Sequence, residues 1–145
     1  MAAQPRRALP RTFPVPSPYL PCTFPGAWRR NPDARWLCKT RPLSELLPIQ
    51  ADVLQRAARL VKPGGTLVYA TCSLLLEEND QQVETFLASE DGQDFELTTP
   101  SDFPAPLDGA YLRLTPARHG CDGFFGAVLT RKEGGWSRPR GRRRA

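Results

Sequence analysis

Between Leu43 and Val61 the apolar positions recur at helical spacing. Ile49, Val53, Leu54, Ala57, Leu60 and Val61 form one stripe, while Gln50, Asp52, Gln55, Arg56 and Arg59 fall opposite it. This predicts an amphipathic helix, stopped by Lys62-Pro63-Gly64-Gly65, with Pro48 expected in its first turn or at the end of a short preceding turn. Thr66 to Thr71, TLVYAT, is apolar and β-branched almost throughout. Flanked by helices, it is expected to be a buried parallel strand. Glu77 to Ala88 predicts a second helix, with an acidic first turn suited to the helix dipole and Val83, Phe86 and Leu87 facing inward. Phe95 to Thr98, Tyr111 to Thr115 and Phe124 to Arg131 then read as short strands between Pro- and Gly-bearing loops. The expected fold class is α/β: the closing half of an open sheet, ending in antiparallel strands.

Composition limits this to one domain of 145 residues. Residues 1–20 carry a proline every few positions, and residues 133–145 end in SRPRGRRRA; both ends are expected to be disordered. The foldable domain is expected at residues 21–132. The net charge of +5 is concentrated at the ends, with an acidic middle, a distribution suited to a polyanion such as RNA or to a solvated tail. Four cysteines without a CxxC pair, and a single histidine, His119, speak against a metal site and a disulfide framework. Free thiols and the lack of a long apolar run point to a cytoplasmic protein with no membrane partner.

Cys72 follows the central strand and precedes a helix. That position suits a nucleophile at the carboxyl edge of a sheet, its thiolate favoured by the helix N-terminus. The alternative is a small buried hydrophobe, the common fate of a free cysteine.

LVKPGGTLVYATCSLLLEEND, residues 60–80, resembles the hallmark stretch of the RsmB/Sun family of RNA cytosine-5 methyltransferases. Two further blocks match in the same order: RRNPDARW from Arg29 to Trp36, with Pro21-Cys22 at the family's Pro-Cys spacing, and LTPARHGCDGFFGAVLTRK near the end. The resemblance implies a Rossmann-like class I methyltransferase sheet and S-adenosyl-L-methionine as methyl donor. It also implies RNA, in this family ribosomal RNA, as substrate. Cys72 would add to the 6-position of cytosine, and Cys22 would help release the adduct. Arg29, Arg30 and Arg35 would suit phosphate contacts, or be ordinary surface arginines. No Gly-rich donor loop precedes Pro21, Tyr19 stands where the family has an aspartate, and Thr23-Phe24-Pro25-Gly26 replaces a small-residue turn. The donor-binding half is therefore expected to be missing, as in a truncated gene product or a split enzyme needing a complementing N-terminal half. Two other readings stay open: an inactive RNA- or partner-binding fragment, and a methyltransferase for another substrate.

Overall fold

The computed structural model describes residues 20–23, 25–30, 32–33, 42–99 and 107–134. Arg35, Cys38 and the terminal segments expected to be disordered lie outside these residues, apart from Leu20 and residues 133–134.

A 3-10 turn at Pro25–Ala27 is followed by α1 (Leu43–Ala58), β1 (Thr66–Thr71), α2 (Asp80–Ala88), β2 (Phe95–Leu97), β3 (Leu107–Asp108), β4 (Tyr111–Leu114), α3 (Pro116–His119) and β5 (Phe124–Arg131). β5 is the centre of the sheet. β1 pairs along one side of it, from Thr66↔Thr130 to Thr71↔Phe125; β4 and then β2 pair along the other, and β3 pairs with β4. All these pairings are antiparallel.

The core lies on one face. Tyr69 of β1 and Phe125, Ala127 and Leu129 of β5 meet Leu54 and Ala58 of α1, Val83 and Phe86 of α2, and Phe95 of β2. Alternate residues point the other way, and Val68 is 62% exposed. This corrects the expectation of a buried parallel strand. Within the described residues β1 has β5 as its sheet neighbour, antiparallel, and helices cover one face, so TLVYAT is half-buried with period two.

The helices also differ from expectation. α1 ends at Ala58 rather than Val61, and Pro48 lies inside it, beyond the first turn. Gln50, expected on the polar face, is fully buried, whereas Leu60 is 71% exposed. α2 starts at Asp80 rather than Glu77, leaving Glu78 and Asn79 in a turn where both are buried. Two of these shifts are linked: Gln50 and Glu78 are buried together and share a hydrogen bond of 2.9 Å.

Candidate active site

Cys72 leaves the end of β1, and its Sγ lies 3.2 Å from that of Cys22, fifty residues earlier in the chain. Cys22 is buried and Cys72 partly so. Backbone contacts hold the two loops together. Gly26 N–H donates to the Cys72 carbonyl at 2.9 Å, and Gly123 N–H donates to the Gly26 carbonyl, also at 2.9 Å. Three segments thus stack through glycines, because a side chain at Gly26 would collide with the Gly123 and Cys72 carbonyl oxygens.

Beneath the sulfurs lies a buried polar network built on Glu78, which is 0% exposed. Its carboxylate accepts from the Thr23 backbone N–H at 2.9 Å, the Thr23 hydroxyl, the Ser73 hydroxyl and Gln50 Nε2, the last also at 2.9 Å. Gln50 Nε2 donates in addition to the Pro21 carbonyl at 2.9 Å. The Tyr69 hydroxyl donates to the Glu78 carbonyl at 2.7 Å. Asn79 Nδ2 donates to the Ser73 carbonyl at 3.0 Å, and its Oδ1 accepts from the Thr71 hydroxyl. A buried carboxylate costs several kcal/mol unless donors surround it, and here they do.

The neighbouring sulfur acts most strongly on the Cys72 thiol. The hydrogen bond to Cys22 raises the Cys72 thiol well above its ordinary range, with burial and the charge of Glu78 acting in the same direction. This direction runs against the expectation that a helix N-terminus would favour a Cys72 thiolate. α2 begins only at Asp80, and the groups that act on the sulfur are a second sulfur and a carboxylate. Tyr69 is likewise raised, by burial and then by Glu78.

Arg29 and Arg30 both turn to Asp122, Arg29 at 3.6 Å, and both stay more than half exposed. Expected to be phosphate contacts, they are partnered within the chain. His119 Nδ1 accepts from the Thr115 backbone N–H at 3.0 Å and braces α3, a structural role. Sequence reasoning missed Glu78, Gln50, Thr23, Ser73 and Asp122. For Glu78 and Asp122 a signal was present, since both stand inside family-like blocks, EEN and CDGFF.

Most carboxylates near this sheet edge are engaged: Glu78 as described, Asp80 with Arg113 at 2.7 Å, and Asp122 with the two arginines. Among the buried carboxylate oxygens of the described residues, Asp122 Oδ1 alone lacks a hydrogen-bond partner, and one such oxygen is not by itself a site for the hydroxyls of S-adenosyl-L-methionine. Among the described residues no group of three or more His, Cys, Asp or Glu could hold a metal, and no helix is long and apolar enough to cross a membrane.

Two facing cysteines thus stand at the rim of an α/β sheet, and comparison with known proteins bears on its kind. The family described as 16S rRNA methyltransferase RsmB/F matches residues 19–130, and the chain belongs to that family. Ribosomal RNA small subunit methyltransferase B of Klebsiella pneumoniae is 41% identical over 118 residues, covering 77% of this chain and 25% of the relative. A probable ribosomal RNA small subunit methyltransferase B of Synechocystis is 41% identical, covering 76% and 25%. The chain thus spans about a quarter of the length of the curated relatives it matches. Among solved structures, the crystal structure of PH0851 aligns with a TM-score of 0.63 at 38% identity, covering 75% of this chain and 24% of that one. NSun6 from Pyrococcus horikoshii, solved with SFG, aligns with a TM-score of 0.53 at 30% identity, covering 62% and 23%.

Proposed function

We propose that this chain carries the thiol half of an S-adenosyl-L-methionine-dependent RNA cytosine-5 methyltransferase acting on ribosomal RNA. The observation that carries the reading is the 3.2 Å approach of two thiols at the end of β1, held by glycine contacts and a buried carboxylate. Ring addition needs a soft nucleophile, because C5 of cytosine is unreactive toward an electrophilic methyl until a sulfur has added at C6. Cys72, partly exposed, is the nucleophile and forms the S–C6 bond. The thiol proton leaves to solvent as the base enters beside the two sulfurs, and the S–C6 bond forms as the C5=C6 electron pair shifts to C5, the carbon that then takes the methyl. Cys22, buried behind it, acts in release: it takes the proton from C5, and the electrons of that C–H bond expel the Cys72 sulfur. The RNA must offer an unpaired or flipped-out cytosine. The methyl donor belongs to the proposed reaction through the family and through NSun6 solved with SFG, an S-adenosylmethionine analogue. No step through it is assigned to the described residues.

The test uses RNA containing 5-azacytosine, mixed with the full chain alone and with the preceding segment of the Klebsiella relative. The proposal expects a complex with 5-azacytosine RNA that survives denaturation and is lost in Cys72→Ala, and, with unmodified RNA and S-adenosyl-L-methionine, a complex that accumulates in Cys22→Ala. Salt-sensitive RNA binding indifferent to both substitutions would instead make the chain a binding module.

A further inference from the structure

We propose that Glu78 is a positioning residue whose carboxylate sets the distance and orientation between the Cys22 and Cys72 sulfurs; this rests on the roles given to those thiols above. Every strand of the argument is a hydrogen bond to an immediate neighbour of one cysteine. On the far side of Cys22, Thr23 gives both its backbone N–H and its hydroxyl to Glu78. On the near side, Pro21 is held through its carbonyl by Gln50, whose same amide nitrogen also donates to Glu78. Next to Cys72, the Ser73 hydroxyl bonds the second Glu78 oxygen. The Thr23 and Ser73 hydroxyls are themselves 3.4 Å apart. One carboxylate therefore clamps two loops that sequence separates by fifty residues. Through these bonds to the neighbours of each cysteine, Glu78 acts on the two loops. Gln at this position could keep its oxygen toward the Thr23 N–H and the Gln50 amide, but its N–H₂ group would face the Thr23 and Ser73 hydroxyls and force them from donors into acceptors, loosening the clamp without emptying it.

The test measures the sulfurs directly, in the full chain, with neither RNA nor donor. Cys72 attacks oxidised glutathione, giving a Cys72–glutathione disulfide and one reduced glutathione. Cys22 then attacks the Cys72 sulfur and expels a second, so two protein thiols are oxidised and one glutathione disulfide is reduced. Mass spectrometry after acid quenching follows the mixed disulfide and its closure. In the wild type, closure should outrun formation, so the mixed species does not accumulate. Glu78→Gln should slow closure at least tenfold and let it accumulate, with Glu78→Asp recovering part of the rate. Thermal melting and the alkylation rate of Cys121 should stay near wild type, which separates positioning from general loosening. Should Glu78→Gln fail to fold, Thr23→Val and Gln50→Leu decide, each expected to slow closure severalfold. Folded variants that close at the wild-type rate would overturn the proposal. Failure of RNA trapping with these rates intact would instead count against the roles of the cysteines.

Discussion

The backbone N–H of Gly26 donates to the carbonyl of Cys72 at 2.9 Å, fastening the turn after Cys22 to the end of β1. A Cβ at position 26 would lie 2.4 Å from the Gly123 oxygen and 2.6 Å from the Cys72 oxygen, both backbone atoms that cannot swing aside. Gly26→Ala should therefore cost about 1–3 kcal/mol of stability and push the two loops apart. Thermal melting checks the first effect, and slower closure of a Cys22–Cys72 disulfide checks the second.

The raised Cys72 thiol makes stability depend on pH. The folded chain keeps the proton through a range where the unfolded chain loses it. This contribution is therefore intact below the ordinary thiol value of 9.0 and is lost as pH rises past it. The melting temperature should fall more steeply above that pH in the wild type than in Cys72→Ser, whose hydroxyl does not titrate. Parallel curves would contradict the assignment.

Because the hydrogen bond to Cys22 is the largest cause of that shift, Cys22→Ala should move the alkylation midpoint of Cys72 to lower pH. Iodoacetamide labelling across a pH series measures it. An unmoved midpoint would mean that burial alone holds the thiol.

Asp122 forms ion pairs with both exposed arginines. Asp122→Asn should strengthen binding to single-stranded RNA, since it frees both guanidiniums. Arg29→Ala with Arg30→Ala should reduce the slope of log affinity against log salt by about 1.4, at roughly 0.7 per lost phosphate contact. Filter binding over a salt series tests both.

How much of this could be read from the residues follows from what each signal measures. Lys62-Pro63-Gly64-Gly65 and FFGAVLTR carry their own local instructions, and β5 runs over Phe124–Arg131 as expected. Cys72 was singled out by its place after TLVYAT together with the family-like segment YATCS and EEN around it. Gln50 and Glu78 were misplaced because periodicity treats polar residues as surface, whereas these two bury each other: each is 0% exposed, and they share a hydrogen bond. The direction of β1 was misjudged because a run of β-branched residues fits a strand covered on both faces as well as one covered on a single face. Here the far face is open, as the exposure of Val68 shows. The Asp122 partnership joins loops distant in sequence, and no local pattern encodes it.

The central claim is that the Cys72 sulfur bonds the pyrimidine ring while Cys22 releases it. The most direct measurement is peptide mapping by mass spectrometry of the denaturation-resistant adduct with 5-azacytosine RNA, in the wild type and in Cys22→Ala. The account predicts the nucleotide mass on the peptide bearing Cys72 in both proteins and, with unmodified RNA and S-adenosyl-L-methionine, an adduct that persists only in Cys22→Ala. Finding that mass on Cys22, or losing the adduct when Cys22 is replaced, would contradict it.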